Sequence, residues 1–156
     1  AGFFFAFLFA WEAVMAAFSV CSAVIGAFLL AGRSPWALIP PLPFGCAVVF
    51  GISLAALAVF SAAGCVYFAL FIRQLMRSYG RFHKNTLASA SGGAVLPPLS
   101  AFPRLSPQAN RRIRTVALAA LTLFAVCFVL GIIVSMIAAG ALEFWHAWGW
   151  FGYVPN

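Results

Sequence analysis

The sequence predicts an all-α integral membrane protein with three transmembrane helices, the N-terminus cytoplasmic and the C-terminus external. Three observations carry this. Apolar residues make up 65% of the 156 residues and charged residues 7%, against roughly 45–50% and about 25% in a soluble domain. So few polar side chains would leave a water-soluble fold without a surface, whereas lipid accepts the excess. The apolar residues fall into three runs, each long enough to cross a bilayer, and the basic residues collect almost wholly between the second and third. Three spans take roughly 75–80 residues, which leaves no stretch long enough for an independent soluble domain.

The first apolar run covers 3–31, broken only by Glu12, Ser19 and Ser22. As a helix it would be about 43 Å long, longer than the roughly 30 Å hydrocarbon core. Placing Trp11 at one interface and Gly32 at the other gives a span over 11–31. Phe3, Phe4, Phe5, Phe7 and Phe9 then lie in the interface or against a partner. No positively charged n-region precedes this run, and it is too long for an h-region, so a secretory signal peptide is not expected.

Gly32, Arg33, Ser34 and Pro35 stop the first helix, and Pro40, Pro41 and Pro43 delay the next, so 32–44 reads as a short exposed turn with Trp36 as an interfacial anchor. The second span covers 46–72. Its helix is expected to run on beyond the membrane, with Arg73, Gln74, Arg77, Arg81 and Lys84 on one side and Leu75, Tyr79, Phe82 and Thr86 opposite. Such a basic amphipathic extension suits an anionic lipid surface. Serine, glycine and proline dominate 87–108, a flexible or extended linker in which Pro97-Pro98 has the option of polyproline II. Ser106-Pro107 is an N-cap and N1 pair for a third helix. That helix carries Arg111, Arg112 and Arg114 and spans the membrane over 116–141, followed by an external aromatic tail over 143–156.

Of nine Lys and Arg residues, Arg73, Arg77, Arg81, Lys84, Arg104, Arg111, Arg112 and Arg114 lie in the segment 73–114, leaving only Arg33 on the other side. This bias puts the basic helix and linker in the cytoplasm. The charges flank two spans as topology requires, so the net charge of +7 does not call for nucleic acid. Glu12, beside Trp11, then sits at the inner boundary, where it can reach headgroups, a basic neighbour such as Arg73 or Arg77, or a partner subunit; proton or ion handling is the remaining reading.

Lipid gives helices no hydrophobic drive to associate, so small residues that permit close approach mark packing faces. Candidates are Ser19, Ala23, Ala27 and Ala31 with Ser22 and Gly26 adjacent, Gly51 and Ala55 with Ala58 and Ala62, and the favoured partner face Gly131, Ser135 and Ala139. Cys21, Cys46, Cys65 and Cys127 form no CxxC pair and read as small apolar residues. His146 could ligate a haem or chlorin, but it has no second ligand at helical spacing and fits an interfacial aromatic belt better; no cofactor is expected. His83 belongs to the basic helix. There is no Asp, Glu12 and Glu143 are near opposite ends of the membrane normal, and the two histidines lie on opposite sides, so no triad, carboxylate pair or metal cluster can form. An enzyme is not expected.

The stretch from Gly64 through Arg73, Arg77, Tyr79, Arg81, Phe82 and Asn85 to Leu87 resembles the closing segment of the DUF1700 (HAAS-domain) family of bacterial membrane proteins, in which an apolar hairpin ends in a basic stretch with an arginine, an aromatic and an asparagine. The resemblance covers about 9–87. It implies a multispan protein of the bacterial inner membrane, whose relatives carry an N-terminal cytoplasmic helical domain ahead of the hairpin. No site residue carries over from it. The leading functional reading is a non-catalytic accessory subunit of a membrane protein complex, packing against another integral membrane protein or a second copy and touching anionic lipid at the cytoplasmic face. The alternatives are a membrane-anchored sensory protein of the HAAS type and a homo-oligomeric transporter or channel component.

Overall fold

The computed structural model describes residues 2–33, 42 and 44–139. It contains three helices: α1, Gly2–Leu30; α2, Phe44–Ala90; and α3, Pro107–Ala139. All three are long and apolar enough to cross a membrane. In hydrocarbon every backbone amide must be satisfied within its own segment, and for a single-chain bundle only the helix does this. The expected aromatic tail, with Glu143 and His146, lies outside the described residues, as does the anchor Trp36.

Each described boundary has a local cause. Gly32 takes the left-handed conformation (φ 66°) and closes α1: its own amide donates to the Leu29 carbonyl at 3.0 Å, and the Arg33 amide reaches back to Phe28 at 3.0 Å. Gly92 (φ 71°) closes α2 in the same way, with the Gly93 amide on the Ala88 carbonyl at 2.8 Å. These are the bonds of a Schellman cap, which needs a residue without a Cβ at the turning point. At the start of α3 the Ser106 hydroxyl accepts from the Ala109 amide at 3.2 Å, the N-cap contact expected of Ser106-Pro107.

Two helices are longer than the spans read from sequence. α1 starts at Gly2, so the phenylalanine-rich segment before Trp11 is a helical extension of the span, and the whole helix is 29 residues, about 43 Å. α2 runs unbroken for 47 residues, about 70 Å, through the basic segment to Ala90. The connection to α3 therefore shrinks to 91–106.

α2 packs against both α1 and α3, and those two do not approach each other among the described residues. The molecule is a row of helices with α2 in the middle. On α1 the residues shielded from the surroundings are Phe5, Leu8, Glu12, Met15, Ser19, Ser22, Gly26 and Leu29, with Ile25 beside them. Their spacing alternates three and four without a break, the seven-residue repeat of a left-handed helix pair. α3 repeats the pattern with Asn110, Ile113, Ala117, Ala120, Phe124, Cys127, Gly131 and Val134. The four-residue series Ser19, Ala23, Ala27, Ala31 is thus corrected: Ser19 is on the packed face, but Ala23, Ala27 and Ala31 are exposed, and Ser22 and Gly26 take their places. A strict four-residue step drifts around the helix by about 40° each turn, whereas alternation of three and four keeps to one side.

The tightest packing is at the hairpin end. A Cβ on Gly26 would lie 3.0 Å from the Gly51 carbonyl oxygen and 3.1 Å from the Ala55 nitrogen, so the two backbones touch. Ser19 adds a hydrogen bond from its hydroxyl to the Ala58 carbonyl at 2.9 Å. On the other flank of α2, a Cβ on Gly131 would lie 2.8 Å from the Phe50 ring, and the Ser53 hydroxyl donates to the Phe124 carbonyl at 3.3 Å. Leu29, Cys46, Ala47 and Phe50 form the buried cluster between these contacts.

Candidate functional site

Toward the charged end the helices stay in contact through Phe5 and Tyr79, but clefts open beside that contact. From Leu30 back to Glu12 is eighteen residues, about 27 Å of helix, which is close to one hydrocarbon thickness. There a cleft of about 320 Å³ opens between α1 and α2, lined by Phe9 and Glu12 on one side and Ala69, Ile72, Arg73, Met76 and Arg77 on the other. Glu12 thus shares a cavity with the two arginines named as its neighbours from sequence. It forms no ion pair with either among the described residues, and its Oε2 is buried with no hydrogen-bond partner. Arg73 and Arg77 are exposed at the rim.

A second cleft, about 520 Å³, lies between α2 and α3, against the stretch of α2 that precedes the first cleft. Phe60, Gly64, Tyr67 and Phe68 form one wall, and Asn110, Ile113, Arg114 and Ala117 the other. Sequence reasoning did not find it. The signal available was Gly64, a helical glycine with no atom within 4 Å of where its Cβ would be.

Beyond the clefts α2 forms a stem, and the connection from α2 to α3 lies along it. Four stem side chains bind the backbone of 96–100 in antiparallel order. Gln74 Nε2 donates to the Ser100 carbonyl at 2.8 Å, the Ser78 hydroxyl to Leu99 at 2.9 Å, and Arg81 to Pro97 at 3.1 Å. Asn85 both donates to the Leu96 carbonyl at 2.7 Å and accepts the Leu96 amide at 3.0 Å. Positions 74, 78, 81 and 85 share one helix face, and Phe71 extends the contact to Phe102 with ring centroids 6.1 Å apart. The linker is therefore extended, as expected, but it is a docked strap. Pro97 and Pro98 explain the fit, because their fixed φ holds the chain straight and leaves its carbonyls free to accept.

This divides the basic residues that the sequence placed on one side. Arg73 and Arg77 border the α1 cleft, Arg81 is committed to the strap, and Lys84 is exposed with no hydrogen bond or ion pair among the described residues. The opposite side of the stem is engaged too. Tyr79 packs edge-on against Phe5 of α1, centroids 5.5 Å apart, and its hydroxyl lies 2.7 Å from His83 Nε2. Phe3, Phe4, Phe7 and Phe9 remain on the outside of α1, 90%, 53%, 59% and 51% exposed.

Gly131 and Ser135, the favoured partner face, are buried against α2 within the chain. The Ser135 hydroxyl is enclosed there with no hydrogen-bond partner. Ala139 is the last residue of α3. The four cysteines are free thiols; Cys46 is buried in the central cluster while Cys21 faces outward. Among the described residues no three His, Cys, Asp or Glu side chains gather as a metal would require. No family model, no curated protein and no solved structure matches the chain.

Proposed function

We propose that the chain is a non-catalytic accessory subunit of a membrane protein complex, seated in the bacterial inner membrane with its charged end in the cytoplasm. The observation that carries this reading is the open row of helices. α1 and α3 each use one narrow stripe against α2, do not meet, and leave their remaining faces apolar and exposed. A second integral membrane protein, or a second copy, would cover such faces by the close packing that drives helix association in lipid. The eight basic residues at the end where α2 leaves the apolar layer support the cytoplasmic placement. Anionic lipid is the expected neighbour of the free cations there.

The test is purification of the native protein in mild detergent or nanodiscs, with mass spectrometry of what accompanies it. A second integral protein at fixed stoichiometry is expected. A homogeneous preparation without one would overturn the subunit reading and leave a sensory protein or a homo-oligomeric channel. The docked strap favours the sensory reading as the runner-up, because a segment held by side-chain hydrogen bonds to an exposed stem can be exchanged for another ligand of the same helix face.

A further inference from the structure

We propose that the cleft between α2 and α3 holds one anionic phospholipid, its phosphodiester at Arg114 and Asn110 and the start of one acyl chain against Gly64. The inference rests on the reading of the charged end as a contact for anionic lipid and narrows it to one site. It does not depend on the subunit reading.

The cleft has a direction. α3 runs antiparallel to α2, with Gly131 against Phe50 and Phe124 bonded to Ser53, so Asn110 and Arg114 come level with Tyr67 and lie on the charged side of Phe60 and Ala117. The polar lining is thus gathered at one end of a groove whose α2 wall, from Phe60 to Phe68, is about 12 Å long, and the other end is apolar. Polar first and apolar behind, along the helix axes, is the order of a lipid. The level fits as well. Val134 lies against Gly45 at the hairpin end, and from Val134 to Arg114 is twenty residues, about 30 Å of helix and close to one hydrocarbon thickness.

A groove with apolar walls inside a bilayer does not hold water, and leaving it empty forfeits the contacts of its lining, so hydrocarbon enters it. Gly64 makes the room: no atom lies within 4 Å of where its Cβ would be. The neighbouring wall is set in advance. Phe68 stacks on Phe71 with ring centroids 6.1 Å apart, and Phe71 meets Phe102 of the connection at 6.1 Å, which keeps the Phe68 ring from folding across the opening.

Charge then selects the headgroup. The lining contains one cation, Arg114, and no acid. The side chains of Tyr67, Asn110 and Arg114 have no hydrogen bond or ion pair among the described residues, so their donors are available to a ligand. A guanidinium fork matches two phosphate oxygens, and the amide and phenol add neutral donors. A single arginine balances a monoanionic phosphodiester such as that of phosphatidylglycerol. A choline lipid brings the same phosphate together with a cation, for which the lining offers no carboxylate.

The test reconstitutes the full chain in nanodiscs of equimolar phosphatidylglycerol and phosphatidylcholine, and reads by native mass spectrometry the last lipid retained. The wild type is expected to retain phosphatidylglycerol about tenfold over phosphatidylcholine, equivalent to about 1.4 kcal/mol. Gly64→Leu fills the groove from its floor, changes no charge and meets no atom at its Cβ; it is expected to bring the ratio to within about twofold of parity. Arg114→Gln is expected to do the same. Arg112→Gln removes an equal charge two residues away, on the other side of α3 and outside the lining, and is expected to leave the wild-type ratio within about twofold. A ratio unchanged by Gly64→Leu, or lowered as much by Arg112→Gln as by Arg114→Gln, would overturn the site and leave a diffuse attraction of anionic lipid to the basic end. Equal retention of the two lipids by the wild type would overturn the site and the anionic-lipid reading together.

Discussion

The two halves of the helix row are built on opposite rules. In the hairpin half, glycine and serine face glycine and alanine, and backbones come within van der Waals contact at Gly26 and Gly51. In the charged half Phe60, Tyr67, Phe68, Phe9 and Met76 border clefts beside the helix contacts. Small side chains let the backbones meet, and the larger ones leave clefts at their margins. Where lipid supplies no hydrophobic drive, this difference alone decides which half is closed and which is open. Cohesion and ligand access are thereby placed at opposite ends of one α2.

The sharpest way to break that contrast is Gly26→Leu. Its side chain would have to displace the backbone of α2 at Gly51 and Ala55, which cannot turn aside. A loss of about 2–3 kcal/mol is expected, read as an earlier midpoint when the protein in micelles is titrated with a denaturing detergent. Gly131→Val should cost less, about 1–2 kcal/mol in the same titration, because what it meets is the edge of the Phe50 ring. Pairing it with Phe50→Leu should recover most of that loss, since the two changes share one contact. Gly64→Ala should go the other way. No atom lies within 4 Å of the added methyl, so the lost chain flexibility is the main effect and the protein gains about 0.5–1 kcal/mol. If Gly64→Ala destabilised as much as Gly26→Leu, the distinction between a closed and an open half would be wrong.

The sequence made the three helices legible because hydropathy acts over twenty residues at a time and survives local ambiguity. The α3 start was equally clear, since Ser106-Pro107 carries its cap chemistry in two adjacent residues. The packing faces were harder. Alanine is so frequent in α1 that a four-residue series could be drawn through exposed positions, and only the neighbouring helix reveals that Ser22 and Gly26 are the inward ones. Of the candidate site, the grouping of Glu12 with Arg73 and Arg77 could be read from the hairpin topology, which returns α2 to the level where α1 began. The strap could not. Gln74, Ser78, Arg81 and Asn85 look like ordinary solvated polar residues until the segment 96–100 is laid beside them, and nothing local in either stretch announces the other.

The strap also has a mechanical side. Asn85 and Gln74 are eleven residues apart, about 16 Å along the helix. The strap covers that distance from Leu96 to Ser100 in four peptide steps, about 12–14 Å even when fully stretched, with the side chains bridging the difference. It has no slack. A stem tied on one side by a taut line resists bending away from that line, because the line would have to lengthen, and yields toward it. The part of α2 between Gln74 and Asn85 is therefore braced like a mast along about 16 Å of its length, free to lean in one direction and stiff in the other.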